Sequence, residues 1–493
     1  MINSFYKKII NNLDSKEIFY KNYDETYTYQ DLRESCLKIF NIFSYLKNKR
    51  NKICVISDKS FNLYATSLGI ILSNNIWIPI SQTSPLERIF EITDNLNPDL
   101  FVLDNINTLK MLRIKNFLKK KKIDVISFQE IKDAKPVDNF PQLKIEKNDV
   151  SMIFFTSGSS GKSKGVKITQ YGYIYSLLQQ VKILYKNKKK LVFGDYHDIS
   201  FVISLNILLP CIYLKAIISP GIKIKDILFP IDHIAKNNVN CLITVPTNIN
   251  RIRNYYKKIQ NKLNLEILVL CGEPFYFDLM KYIFDQKISK NIYNCYGSTE
   301  LSPWVFSHKL NKSDLNKYKD LSVVPIGKKF TNVKTHIIKN ELYIGGPTLS
   351  DGYLDEEQNK LSFVNINNQR FYKTNDIVHK IDDVYFIKGR NDSIVKISGY
   401  RVELFEIDNQ IRKISGIKNC FIFLKEISNY EKYIFAIVES NKINESYIAN
   451  KLRKYLPNYM IPKQIKIIRK FPVNKNNKID RIKLKEFFNT QGT

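Results

Sequence analysis

Glycine, histidine, tryptophan and methionine are all scarce in this chain, at 17, 5, 2 and 5 residues among 493. The seven cysteines (36, 54, 211, 241, 271, 295 and 420) are odd in number, widely spaced and form no C-x-x-C pair. The scattered histidines offer no pair at ligand spacing. This excludes a structural zinc site and reads as a reduced, cytoplasmic chain. No unbroken apolar run approaches the ~20 residues that a membrane span needs. The most apolar stretch, 201–220, is interrupted by Asn206, Pro210 and Lys215, so it reads as a buried segment and no membrane insertion is expected. The N-terminal MINSFYKKIINNLDSKE turns polar too early for a signal peptide. Acidic residues are short as well: 47 Asp+Glu against 77 Lys+Arg leaves a formal charge of +30. Such a balance ordinarily raises nucleic acid or an anionic membrane as partner. Here the lysines are spread along the chain with abundant Asn and Ile. Runs such as 115–122 and 186–190 read as solvated faces, and no nucleic-acid recognition module accompanies them.

Hydrophobic residues make up 44% and aromatics 13%, ample for burial, and the length implies two to four domains. Residues 28–48 have apolar positions at helical spacing, 51–58 read as a buried strand, 67–75 as a helix and 76–81 as a strand. The runs 99–104 and 122–128 continue the alternation of a layered α/β domain. A polar stretch, 132–148, leads into an apolar strand at 151–155, and a second strand–helix series covers about 190–296. From about 322 closely spaced strands with turn signals take over. The tail predicts helices at 401–414 and 444–456 and strands at 418–424, 432–439 and 464–469. The expected fold class is therefore α/β and α+β multidomain. A large N-terminal domain (1–388) has layered α/β subdomains and a β-rich subdomain, and a small, mobile α+β domain (389–493) follows it.

Thr156-Ser157-Gly158-Ser159-Ser160-Gly161-Lys162-Ser163-Lys164-Gly165 follows the strand at 151–155. Small residues there let the backbone approach a polyanion, with N–H groups and hydroxyls directed at phosphate oxygens. A P-loop would need glycine where Thr156 stands, so that spacing fails. The string Gly161-x-Ser163-x-Gly165 matches a nucleophile elbow by letter, but residues 157–161 separate it from the strand. A plain Ser/Gly linker is the other reading, although linkers seldom follow so apolar a strand. The segment also resembles the phosphate loop of the adenylate-forming superfamily, with Ser160 where Thr is usual and Ser163 where Pro is common.

Further segments resemble that superfamily in the same order along the chain. Asn294-Cys295-Tyr296-Gly297-Ser298-Thr299-Glu300 resembles its Asn-x-Tyr-Gly-x-Thr-Glu segment. The residue types suit the chemistry: a flat Tyr296 for adenine, a Thr299 hydroxyl for phosphate and a Glu300 carboxylate for Mg²⁺. Gly272-Glu273-Pro274 resembles the strand-end loop over the adenine. Tyr372-Lys373-Thr374-Asn375-Asp376 resembles the segment whose Asp binds the ribose hydroxyls; Asn375 replaces Gly, but asparagine tolerates a left-handed backbone. The stretch from Gly389 to Glu403 is the strongest match, and it implies Arg390 on ribose and phosphate and Asp392 as the hinge. In the closing segment Asn477 again replaces Gly, and Lys478 is implied to be the catalytic lysine.

The resemblance implies two steps, formation of an acyl-adenylate and pyrophosphate from a carboxylate and ATP, then transfer to a thiol. Thr156 to Gly161 and Lys164 would hold phosphates, with Mg²⁺ on Glu300. Catalysis would rest on positioning and fixed positive charge, with Lys478, Thr299 and Glu300 as catalytic groups. His197-Asp198-Ile199-Ser200 resembles the Phe-Asp-x-Ser segment of amino-acid adenylation domains, which assigns the substrate ammonium to Asp198. Its residue-level alternative is a cap on a helix over 200–209. Val202, Val269, Cys271, Cys295, Pro303 and Trp304 would complete a mostly apolar pocket for a small or medium neutral side chain. Free-standing adenylation domains and D-alanine–carrier-protein ligases are the most similar subgroup. The short tail after Lys478 leaves no room for a fused carrier, so an amino acid and a separate, acidic, phosphopantetheinylated carrier protein are the expected partners. An acyl- or aryl-CoA ligase and a non-catalytic adenylate-binding homologue are the alternatives.

Overall fold

The computed structural model describes the chain except for residues 47–49, 105–107, 141–144, 157–162, 256–262, 319–320, 322, 392–393, 442, 473–478, 480 and 491–493. Two compact units emerge. One comprises Met1–Gln82, Leu96–Phe155 and Gly165–Asn391, the other Thr83–Asn95, Thr156–Lys164 and Asp392–Thr493.

The first unit contains two large sheets. One runs, edge to edge, Gly352–Tyr353, Lys164–Thr169, Val150–Thr156, Ile76–Ser81, Lys52–Ser57, Leu100–Leu103 and Asp124–Ser127. Its strands from 76–81 through 124–127 pair in parallel. The other runs Lys328–Lys329, Phe306–Lys309, Ser289–Tyr296, Leu265–Cys271, Cys241–Thr244, Val192–Asp195, Ile217–Pro220, Ile18–Lys21 and Thr26–Thr28. Its six central strands are parallel and its edges antiparallel. A third, antiparallel sheet holds Lys334–Ile338, Glu341–Gly345, Gln369–Ile381, Phe363–Ile366 and Val384–Arg390. Strands buried on both faces read as continuous apolar runs, as in LEILVLC of Leu265–Cys271, whose residues are all buried except the half-buried Glu266.

Local chemistry sets the element ends. Thr28 and Asp31 form a reciprocal capping box that starts the helix Tyr29–Phe43. The helix expected at 67–75 begins earlier, at Phe61, because the Ser60 hydroxyl accepts from the Leu63 N–H, and it ends at Leu72. Asn74 is left-handed there and the Asn75 N–H returns to the Ile70 carbonyl. The apolar stretch at 201–220 is a 3-10 turn (Val202–Ser204), a helix (Leu205–Tyr213) and a strand (Ile217–Pro220), and every residue of the helix except Tyr213 is buried.

In the second unit, Asn419–Glu426, Lys432–Glu439 and Gln464–Ile468 form a small sheet, and the helices Leu404–Arg412 and Glu445–Leu452 pack with it. The helix expected from 401 starts only at Leu404. Residues 401–403 belong to a hairpin, Ile394–Ile397 with Tyr400–Glu403, closed by Ser398 and Gly399 at φ 48° and 84°. Two successive left-handed residues match the twist of tight hairpins, so turn geometry overrides helical periodicity. The helix Leu86–Leu96, which falls largely within this unit, contributes Arg88, buried 2.8 Å from Glu406.

Candidate active site

In open parallel sheets, ligands bind beyond the carboxyl ends of the strands. Register places Gly272 level with Tyr296, since Cys271 pairs with Cys295 on the neighbouring strand. The strand Val192–Asp195 ends on the same side and leads into Tyr196–Ser200. Most of the candidate residues of the first unit therefore lie at one end of one sheet.

Tyr296, Asp376 and Arg390 are bonded together. The Tyr296 hydroxyl donates to Asp376 Oδ2 at 2.5 Å, and Arg390 Nη1 donates to Oδ1 at 2.6 Å. Burial, and then the Asp376 charge, push the Tyr296 phenol well above its ordinary range, so it stays a proton donor. Asp376 and Arg390 face each other across antiparallel strands, with a register shift at Ile377/Val378. Asn375 has φ 59°, as a residue in place of glycine must, and its N–H donates to Glu341 Oε1 at 3.1 Å. Asn391 Nδ2 donates to the other Glu341 oxygen at 3.3 Å. Glu341 was not among the residues singled out from sequence.

Thr299 and Glu300 lie in a buried 3-10 turn that directly follows this strand end. Glu300 Oε1 accepts from the Tyr353 hydroxyl at 2.6 Å, and its carbonyl accepts from the Ser350 N–H at 2.9 Å. Asn294 reaches the Pro325 carbonyl at 2.9 Å. At Gly297 an added Cβ would lie 1.9 Å from the Pro303 carbonyl oxygen, so this turn can be made only by glycine. Gly272 is left-handed, φ 82°, and Glu273 accepts from the Thr247 N–H at 3.0 Å, at the start of the helix Pro246–Tyr255. Pro274 follows on the surface.

Asp198 is held from two sides. Ser81, at the end of a strand in the other sheet, donates to Oδ2 at 2.5 Å; the Ser200 N–H and hydroxyl donate to Oδ1 at 2.9 and 2.6 Å. The 3-10 turn begins at Val202 and the helix at Leu205, neither capped by Asp198. A helix cap is therefore not its role. Nearby Asp58 has its carboxyl pushed up by burial and by the charges of Asp104 and Asp198. That accumulation of negative charge suits a cation.

Of the pocket residues, Val269, Cys271, Cys295 and Trp304 are buried; the Trp304 carbonyl accepts from Ser176, and Val202 is half-buried. Val245 Cγ1 and Cδ1 of Ile203, the neighbour of Val202, approach Gly272, at 3.4 and 3.9 Å from the position a Cβ would take. Burial, and then each other's proximity for Cys295 and Cys271, pushes the Cys295 thiol well above its ordinary value, which makes it inert. Thr156 and Lys164 belong to the second unit, where the Thr156 hydroxyl is buried. Ser157, Gly158, Ser159, Ser160, Gly161, Asp392 and Lys478 lie outside the described residues.

His197, standing where the resemblance has Phe, is buried. Its Nε2 donates to the Ile243 carbonyl at 3.1 Å. Burial pushes its pKa down to about 4. Because the unfolded imidazole titrates near 6.5, the unfolded state binds a proton that the folded state refuses between those values, so stability falls as pH drops from 6.5 towards 4. The loss is on the order of 3 kcal/mol. His197→Phe is expected to remove this part of the acid sensitivity, measured by urea denaturation at pH 7 and pH 4.5; an unchanged pH dependence would refute it.

The sequence profile of the AMP-binding enzyme family matches residues 10–354, and the chain belongs to that family. D-alanine–D-alanyl carrier protein ligase of Staphylococcus epidermidis is 26% identical over 478 residues, covering 94% of each chain. The protein of that name from Listeria innocua is 27% identical over 465 residues, covering 88% of each. Among solved structures, the Vibrio cholerae adenylation domain AlmE, in complex with glycyl-adenosine-5'-phosphate, superposes with a TM-score of 0.82 at 20% identity, covering 99% of this chain and 98% of that one. The o-succinylbenzoate CoA synthetase of Bacillus subtilis gives 0.82 at 14%, covering 97% and 98%. The expected multidomain α/β architecture is the one found. Among the described residues, no helix is long and apolar enough to cross a membrane.

Proposed function

We propose that this chain activates an amino acid with ATP, as an AMP-forming ligase, and loads it onto the phosphopantetheine thiol of a separate carrier protein. The observation that carries the reading is Asp198. It is an anchored carboxylate on the loop after the strand Val192–Asp195, in the sheet that also delivers Tyr296, to which Asp376 and Arg390 of the antiparallel sheet are bonded. Asp376 would accept from the ribose hydroxyls, with Arg390 beside it, and the loop 156–164 would take the β- and γ-phosphates. Glu300 is a hard oxygen donor, and one or two carboxylates are the usual protein share of a Mg²⁺ site that substrate phosphates complete. The bound ion would supply positive charge against the phosphates.

A substrate carboxylate oxygen attacks the α-phosphorus, and the bond to pyrophosphate breaks. The carrier thiol then gives up its proton to solvent, its sulfur bonds to the acyl carbon, and the bond from that carbon to the phosphate oxygen breaks, which releases AMP. By the resemblance, Lys478 would supply the positive charge needed as charge develops in the first step, and Asp392 would be the hinge of the small domain (389–493). The relatives' names favour D-alanine, consistent with the buried, mostly apolar Val269, Cys271, Cys295 and Trp304. The basic charge of the chain suits an acidic carrier.

ATP–pyrophosphate exchange with D-alanine, L-alanine, glycine, fatty acids and aryl acids tests this reading. Exchange is expected with a small amino acid, and AMP release should then accelerate on adding a phosphopantetheinylated carrier. Exchange driven only by fatty or aryl acids makes the chain an acyl- or aryl-CoA ligase. No exchange with any carboxylic acid makes it a non-catalytic adenylate-binding protein.

A further inference from the structure

Behind Asp198 lies a buried polar group that the reaction as described does not use. Asp195 is 1% exposed and stands three residues before Asp198, at the end of the strand Val192–Asp195. Its carboxylate takes three donors: Lys59 Nζ at 3.4 Å and the His197 N–H at 3.3 Å on Oδ1, and the Tyr64 hydroxyl at 2.6 Å on Oδ2. Its carbonyl takes two more, Lys59 Nζ at 2.9 Å and the Gly221 N–H at 2.9 Å. Tyr64 is fully buried, and burial together with Asp195 pushes its phenol well above the ordinary range, so it remains a donor.

A buried ion pair is a poor way to gain stability, because desolvation offsets the attraction and apolar replacements are often neutral or better. Its use here is geometric. Four donor groups making five contacts fix both the side chain and the carbonyl of Asp195, and thereby the origin of the Tyr196–Ser200 loop. Ser81 and Ser200 fix Asp198 itself. Lys59 also neutralises Asp195. Without that pairing, two carboxylates three residues apart would compete for one ammonium group.

We propose that Lys59 is a positioning residue for amino-acid recognition, acting through Asp195 to aim Asp198 at the substrate ammonium and leaving Asp198 as the single uncompensated charge of its loop. The inference rests on the amino-acid-activating function proposed above. It concerns substrate affinity alone, since none of the three groups belongs to the proposed nucleotide site.

Exchange kinetics on the full-length protein, with D-alanine as probe or whichever amino acid gives the highest exchange, test the idea. Lys59→Met is expected to raise KM for the amino acid about tenfold or more, with KM for ATP within about twofold. Lys59→Arg should recover most of the loss. The double variant Lys59→Met/Asp195→Asn, which buries no unpaired charge, should keep the wild-type melting temperature yet still bind the amino acid weakly. Tyr64→Phe should shift the same KM by a smaller factor. An unchanged amino-acid KM in both the single and the double variant overturns the inference while the activity stands. So does a parallel rise in both KM values with a lowered melting temperature, since that marks a purely structural pair. A wild type with no amino-acid-dependent exchange overturns the activity itself, and the inference with it.

Discussion

Lys478→Ala is expected to lower adenylate formation by about 10²–10³-fold, the range for removing one preorganised donor from a transition state. ATP binding should persist. The groups proposed to hold the nucleotide, Tyr296, Asp376 and Arg390, are bonded to one another in the first unit and do not depend on residue 478. Negative charge accumulates between the attacking carboxylate and the α-phosphate, and a cation present only at that point acts on the rate more than on affinity. Since 77 residues are Lys or Arg, the control matters as much as the variant. Lys475→Ala, three residues away, should retain exchange. Full exchange in Lys478→Ala, or equal losses in the two variants, would remove residue 478 from the mechanism. ATP binding is read separately, by equilibrium titration.

Gly297→Ala should be as damaging for a different reason. The added methyl would sit 1.9 Å from the Pro303 oxygen, 2.9 Å from the Pro303 carbonyl carbon and 2.9 Å from Trp304 Cα. All three are backbone atoms, so no side-chain rotation relieves the contact, and either 296–298 or 303–304 must move by more than an ångström. The Val305 N–H bonds to the Tyr296 carbonyl at 2.9 Å, which ties the two segments together. Moving one of them displaces Tyr296 from Asp376, or Pro303 and Trp304 from the proposed pocket. We expect at least a hundredfold loss of kcat/KM in exchange, with destabilisation of roughly 1–3 kcal/mol, the size typical of overpacking. Near-normal kinetics in Gly297→Ala would show that the turn yields more easily than its geometry implies.

The short-range parts of the site were legible in the sequence. The strand Ser289–Tyr296 running into Gly297 and Glu300 is one contiguous segment, and the left-handed place of Asn375 follows from the residue itself. What stayed hidden are the partners brought together by sheet order. Ser81 and Asp198 are 117 positions apart, Tyr64 and Asp195 131, and Tyr353 and Glu300 53. Nothing in a serine ending a strand announces that the loop of another sheet will meet it. The late start of the helix at Leu404 has the opposite cause. The apolar spacing around 401–414 is helical, but the two left-handed residues at 398–399 commit the preceding segment to a hairpin.

The treatment of Asn375 is general in this molecule. Among the described residues, nine asparagines and five lysines adopt positive φ, against six glycines. The scarcity of glycine is therefore no shortage of turns, since asparagine in particular fills the same backbone well. The consequence lies in the unfolded chain. A residue with a side chain explores fewer conformations before folding than glycine does, an advantage of about 0.4–1 kcal/mol per position. A left-handed residue gives back about 1–2 kcal/mol in steric cost, least where it is asparagine, whose short polar side chain bonds locally. The two terms offset each other in part, most fully for asparagine, so a composition low in glycine can fill turn after turn at a modest cost in stability. It stops where, as at Gly297, the obstacle is the backbone of a neighbouring segment, Pro303–Trp304, rather than a dihedral angle.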